Sequence, residues 1–140
     1  MKPLLFLTAI FFWLHTSAQD STASTQDTAD YDKEFLEVQV PAKFPGGDQG
    51  WNNFLSANIR TQTPARHKAP AGSYTVVIRF TIDKEGNVKD AAVLEDPGYG
   101  TAEDVLRVLH KSPRWTPAMQ DGRNVIYVQK QKITYEVTQN

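Results

Sequence analysis

Few side chains in this 140-residue chain are of types that could do chemistry. It has no cysteine, which excludes disulfides, thiolate metal sites and cysteine nucleophiles together. Outside the first eighteen residues its histidines are His67 and His110, and no paired-histidine, Ser-His-Asp or glycine-rich phosphate-binding pattern accompanies them. We expect His67 to lie in a loop and His110 on the exposed side of a last helical turn. The sequence therefore predicts no catalytic residue and no cofactor.

Paired acids are the other candidates for chemistry. Glu95-Asp96 and Glu103-Asp104 could form a carboxylate site, but acids near the start of a helix are ordinarily explained by their favourable interaction with the helix dipole. The acidic stretch over residues 83–87 contains a glycine, as calcium loops do, yet it lacks the further acids and the closing Glu of such a loop. We interpret it as a turn and predict no metal site.

The first eighteen residues have the order of a secretory signal peptide. Lys2 precedes an apolar run over residues 4–14, and small residues lead to Ala18. The run is shorter than the roughly 20 apolar residues of a membrane span. We predict a signal peptide over residues 1–18, cleaved after Ala18, and export to the periplasm. An uncleaved anchor in the inner membrane is the alternative.

Charge divides the remainder into two parts. Residues 19–37 hold six acids and one base, with little to bury, and are predicted to form a disordered acidic segment. Residues 38–140 hold 13 Lys and Arg against 10 Asp and Glu and are predicted to be one globular domain. Because its bases are not clustered, the domain is not expected to bind nucleic acid.

Two helices are predicted within this domain from apolar side chains at helical spacing. The first covers residues 48–59, after Phe44-Pro45-Gly46-Gly47, and its stripe consists of Trp51, Phe54, Leu55 and Ile59. A loop is expected over residues 61–72. The second helix begins near Thr101, whose hydroxyl can cap it, and Pro113 stops it. Its buried stripe consists of Ala102, Val105, Leu106 and Leu109.

Three strands complete the predicted domain. Residues 73–83 alternate with period two, and residues 88–95 return after the turn as the second arm of a hairpin. Pro113 and Pro117 bracket Trp115, which should be held against the domain over the second helix, and Gly122 turns the chain into a last strand ending near Val137. The predicted fold is α+β, with two short helices packed on one face of a small three-stranded antiparallel sheet.

The last strand is longer than its partner over residues 73–83, so part of it should overhang or bend. An edge strand presents unpaired backbone N–H and C=O groups with which another chain can pair. Lys130 and Lys132 lie on this strand, and charges at an edge discourage indiscriminate pairing. Whether the edge accepts a guest or is only protected by these lysines stays open, and a homodimer through the same edge is a further possibility.

The order of these segments carries a resemblance. Phe44-Pro45-Gly46-Gly47, a helix, TPAR, a strand, DKEGNV, a second strand, a helix, PRWTPAMQDGRNV and a final strand resemble the C-terminal domain of TonB, in the form found in Bacteroidetes energy transducers. The resemblance covers residues 40–137. Its motif residues are Phe44, Pro45, Gly46, Gly47, Trp115, Pro117 and Gly122.

The resemblance implies a periplasmic protein-binding domain whose final strand takes up a partner peptide, such as the TonB box of an outer-membrane receptor. The implied partner-binding residues are Val125, Ile126, Tyr127, Val128, Gln129, Lys130, Gln131, Lys132, Ile133, Thr134 and Tyr135. Because residues 19–37 reach at most roughly 65 Å and hold no proline, we predict a stand-alone exported module. The alternatives are a membrane-anchored energy transducer and a small exported enzyme.

Overall fold

A computed structural model describes residues 33–139, so the predicted signal peptide and most of the acidic segment lie outside the described residues. The described part is α+β, as predicted. Its strands are β1 (Glu34–Phe35), β2 (Gly72–Ile82), β3 (Val88–Glu95), β4 (Ala118–Gln120) and β5 (Arg123–Val137), and its helices are α1 (Gly47–Asn58), α2 (Thr63–Arg66) and α3 (Thr101–Leu109).

The three predicted strands form most of the sheet, in the order β5-β2-β3. β5 pairs with β2 in antiparallel register from Gly72 opposite Val137 to Ile82 opposite Tyr127, and β2 pairs with β3 as the predicted hairpin. The prediction of a sheet with only three antiparallel strands is wrong. β4 adds an antiparallel strand and β1 a parallel one. With three and two residues, these strands are too short to show a sequence period, and their pairing comes from backbone contacts that tertiary structure creates.

The helices depart from prediction at two points. The predicted loop over residues 61–72 contains α2, which begins with Pro64 in its first turn, a position that proline favours because no N–H is needed there. Thr101 does not cap α3, because Gly100 is the cap residue, with φ 74°. The Thr101 hydroxyl instead donates to the Gly98 carbonyl at 2.7 Å.

The core lies between the helices and one face of the sheet. Alternate residues of β2 have no solvent exposure, and they are Val76, Ile78, Phe80 and Ile82. Burying each such side chain contributes about 1.5–3 kcal/mol. The predicted stripe of α3 is corrected at one position, since Val108 is fully buried and Leu106 only half-buried. We call this side of the sheet the helix face and the opposite side the back face.

Candidate functional site

The two sides of β5 are used differently. One side is fully occupied by β2 over residues 127–137. On the other side β1 pairs with Ile126 and Tyr127. β4 pairs with residues 123–125, where the strand extends past the end of β2. Within residues 33–139, no strand pairs with this second side beyond Tyr127. We call this free side of residues 128–135 the outer edge.

The predicted partner-binding stretch therefore divides into two parts. Val125 is already paired with Ala118 of β4, and Ile126 and Tyr127 are paired with β1 on the side away from β2. The remaining residues, from Val128 to Tyr135, form the outer edge. The expected overhang of the last strand exists at residues 123–126, which extend past the end of β2, but β4 and β1 fill it.

Side chains of the outer edge alternate between the two faces of the sheet. Gln129 and Gln131 lie opposite Phe80 and Ile78, so they point to the helix face. Lys130 and Lys132 are exposed on the back face, where Lys130 lies directly opposite Arg79. The open part of the strand thus presents amides on one face and ammonium groups on the other.

An aromatic cluster joins the two motifs that the sequence singled out. The Phe44 and Trp115 rings are 5.4 Å apart in an edge-to-face arrangement, and both contact Trp51 of α1 at 5.3 Å. Trp115 therefore packs on α1 and on Phe80 of the sheet, at 5.9 Å. It was predicted to lie over the second helix, and its indole N–H donates to the Ser112 hydroxyl, just after that helix, at 2.9 Å. Lys43 and Thr116 exchange backbone hydrogen bonds of 3.0 and 2.8 Å, which hold the two segments together.

A cleft separates this aromatic cluster from the outer edge. Its volume is about 270 Å³, and Phe44, Trp51 and Trp115 line it on one side with Gln129 and Gln131 on the other. The two amides are hydrogen-bonded to each other at 3.3 Å. An open strand edge beside a cleft lined by rings can accept both the backbone and a side chain of an extended peptide.

The turn between β2 and β3 positions Trp115. The Trp115 N–H donates to the Gly86 carbonyl at 2.8 Å, and a Cβ on Gly86 would lie 1.9 Å from the Trp115 carbonyl oxygen. The Asp83 carboxylate closes the turn by accepting from the backbone N–H groups of Glu85 and Asn87. Desolvation of Asp83 opposes its ionisation, but these bonds and the one from Lys89 outweigh it and lower the pKa of Asp83 to about 2.

Asp104 has a structural role that the sequence analysis did not predict. This buried carboxylate accepts from the Arg60 backbone N–H at 2.8 Å, the Tyr135 hydroxyl at 3.0 Å and Arg107 Nε at 3.0 Å. Burial and the bond to Asp104 raise the pKa of Tyr135 above its usual value. Glu103 remains exposed, so the pair does not form a two-carboxylate site. A tyrosine on a buried strand position was the only sequence signal that a polar partner was needed.

The histidines and acids do not assemble into a reactive site. His67 follows α2, where its Nδ1 lies 2.8 Å from the Thr63 carbonyl oxygen and its ring packs against Gly100. His110 is exposed at the end of α3. Within residues 33–139, no group of three or more His, Asp or Glu side chains could hold a metal ion, and no helix is long and apolar enough to cross a membrane.

Comparison with known proteins agrees with the order of motifs. The family described as Gram-negative bacterial TonB protein C-terminal matches residues 64–137, from α2 to the end of β5. The Phe44-Pro45-Gly46-Gly47 motif and α1 lie before this range. No curated protein matches the chain. The matched family is a transport-associated domain without enzymatic activity. Since the match covers more than half of the chain, this protein belongs to the TonB C-terminal domain family.

Proposed function

We propose that this protein is a periplasmic binding module of TonB-dependent transport that accepts a partner peptide, such as the TonB box of an outer-membrane receptor, along the outer edge of β5. The observation that carries the proposal is the unequal use of β5. One side is paired along its length with β2, whereas residues 128–135 have no strand on the other side within the described chain.

Backbone pairing suits such a role. Alternate residues of a strand direct their N–H and C=O groups to the same side, so about half of the eight outer-edge residues offer both groups to a guest. Each hydrogen bond contributes about 0.5–1.5 kcal/mol net. Several such bonds give useful affinity with little dependence on the guest's side chains, which allows one module to serve more than one receptor.

Peptide binding to two neighbouring proline variants tests the proposal. Because adjacent N–H groups of a strand point to opposite sides, one of Val128→Pro and Gln129→Pro removes a bond to β2 and the other removes a donor from the outer edge. Melting temperature distinguishes them, since loss of a β2 bond costs more stability. We expect the more stable variant to bind a synthetic TonB-box peptide at least tenfold more weakly than the parent, by calorimetry. Parental affinity in that variant would falsify docking at the outer edge.

Export of the chain is a separate part of the proposal. We propose that residues 1–18 are removed after Ala18 in the periplasm. The alternative is that this segment is retained as an inner-membrane anchor of an energy transducer. The intact mass of the chain isolated from its native cells distinguishes the two, because a product starting at Gln19 contradicts the anchored form and a product starting at Met1 contradicts cleavage.

A further inference from the structure

β1 shows how a strand pairs with β5 on the side away from β2, where the proposed partner peptide would bind. We propose that the outer edge selects a partner strand that runs parallel to β5 and alternates acidic side chains on the back face with apolar side chains on the helix face. This inference rests on the proposed function, because it specifies which peptide the outer edge accepts.

The direction and the facing of the guest are taken from β1. It runs parallel to β5, with Glu34 beside Ile126 and Phe35 beside Tyr127. Glu34 turns to the back face, where its carboxylate is 3.2 Å from Arg79 Nη2. Phe35 turns to the helix face and packs against the core. The two positions of β5 that directly precede the outer edge thus already have an acid beside them on the back face and an aromatic ring beside them on the helix face.

The back face beyond β1 continues to favour acids. The outer-edge side chains that carry charge are Lys130 and Lys132. Lys130 also lies directly opposite Arg79 of β2, and like charges in that position repel each other. Among the acids, Glu34 bonds Arg79, and Glu136 near the strand end bonds the Ser73 hydroxyl at 2.6 Å.

Two further acids near this face belong to β3 and lie farther from a guest. The Asp90 carboxylate accepts from the hydroxyl of Thr81, which lies opposite Val128, at 3.3 Å. Glu95 is aligned with Val77, two strand spacings or about 10 Å from β5. A guest carboxylate beside Lys130 or Lys132 would therefore lie closer to positively charged side chains than to negatively charged ones.

The helix face favours an apolar side chain at the guest's alternate positions. Guest residues beside Gln129 or Gln131 would project toward the cleft of about 270 Å³ lined by Phe44, Trp51 and Trp115. Lys43 and Asp48, one of each sign, also line this cleft and are exposed. An apolar side chain there covers ring surface, whereas a charged one would lose water without a dedicated partner.

Three matched peptides test the side-chain pattern. Each places leucine at alternate positions, with glutamate, threonine or lysine between, and each is confirmed to be monomeric. We expect the exported parent chain to bind the glutamate peptide at least tenfold more tightly than the lysine peptide, with the threonine peptide between them. In the Lys130→Glu, Lys132→Glu variant the order should reverse, and 0.5 M salt should narrow the differences because it screens exposed charges.

The outcomes separate the two proposals. If none of these peptides nor the TonB-box peptide binds, docking at the outer edge is wrong altogether. If the three matched peptides bind equally, or if only the TonB-box peptide binds, docking stands and the selection for acids is overturned. Retention of the glutamate preference by the double glutamate variant also overturns it, because the lysines would then not be its source.

Disulfide trapping tests the direction. The chain has no cysteine of its own, so single cysteines can be placed at Gln129 or at Thr134, toward opposite ends of the outer edge. A glutamate peptide with an N-terminal cysteine should cross-link to the Gln129→Cys variant at least five times faster than to the Thr134→Cys variant. The reverse order would show antiparallel docking and overturn the inferred direction.

Discussion

Asp104 illustrates at the scale of one residue how a buried charge can connect three elements. Its carboxylate contacts the backbone that follows α1, an arginine of its own helix and the hydroxyl of Tyr135 on β5. These three groups donate hydrogen bonds to the carboxylate, and Arg107 also supplies a positive charge, so the negative charge is compensated inside the protein. Tyr135 ends the outer edge, and this network therefore anchors the end of the proposed docking strand.

Replacing Asp104 should be far more costly than replacing its neighbour. We expect Asp104→Asn to lower the free energy of unfolding by about 2–4 kcal/mol, because Arg107 would be left without its buried counter-charge. The exposed Glu103→Gln is the matched control and should change stability by less than about 0.5 kcal/mol. Urea unfolding of both variants measures the difference, and equal effects would show that burial of Asp104 is not what matters.

Asp83 makes stability depend on pH. Its folded pKa of about 2 lies below its ordinary value of 3.8, so the ionised form stabilises the fold above pH 4. This contribution is lost as the pH falls from about 4 to about 2. Since its charged partner Lys89 is exposed to solvent, we expect the loss to be on the order of 1 kcal/mol. The free energy of unfolding of the Asp83→Asn variant, measured with urea, should fall less between pH 4 and pH 2 than that of the parent protein.

At the scale of elements, β5 depends on segments that are distant in the sequence. β4 and β1 cover its first part, and the aromatic cluster of Phe44, Trp51 and Trp115 supports the cleft beside its open part. The turn at Gly86 holds the Trp115 segment by a backbone hydrogen bond of 2.8 Å. The proposed docking edge is consequently shaped by a hairpin turn and a loop that do not pair with it.

Two glycines with similar backbone angles allow the cost of backbone strain to be measured separately from the cost of a steric clash. Gly86 has φ 89° and Gly122 has φ 74°, but a Cβ on Gly122 would meet nothing within 4 Å. We expect Gly122→Ala to cost about 1–2 kcal/mol from the left-handed conformation alone. Gly86→Ala should cost at least about 1 kcal/mol more and shift tryptophan fluorescence, because Trp115 must move. Thermal unfolding followed by fluorescence checks both, and equal losses would contradict the close approach.

At the scale of the whole molecule, neighbouring strands cover both sides of β5 over only part of its length. Within the part of the chain that the structure describes, β3 ends one side of the sheet, and β5 has no neighbouring strand along the outer edge, beside the cleft. Such an edge could pair with a second copy as well as with a receptor peptide. The lysines of the outer edge bear on which of these occurs.

The lysines should disfavour self-pairing. In an antiparallel pair of two β5 strands centred near residue 131, Lys130 and Lys132 of one copy would lie near those of the other, and like charges in adjacent strands repel. We expect the parent to remain monomeric at micromolar concentrations and Lys130→Thr, Lys132→Thr to associate more strongly. Sedimentation equilibrium measures both, and a parent dimer unaffected by the substitutions would contradict this role of the lysines.

Sequence alone determined the parts of this protein that depend on local pattern. Period-two alternation located β2, and the turn that follows it located β3, which agrees with the prediction residue for residue. The spacing of Trp51, Phe54 and Leu55 located α1 to within one residue at each end. The order of motifs was sufficient to indicate the TonB C-terminal family, because each motif has a physical requirement for its residue type.

Only tertiary structure decided which groups meet. Three contacts join segments that are distant in the sequence. They are the pairing of Phe35 with Tyr127, the position of Arg79 opposite Lys130, and the contact of Trp115 with α1. No local pattern encodes such contacts, because a backbone hydrogen bond or a ring contact can form between residues at any separation in the sequence. For the same reason the sequence indicated that β5 has an edge, but only the folded sheet decided that no strand of residues 33–139 covers this edge over residues 128–135.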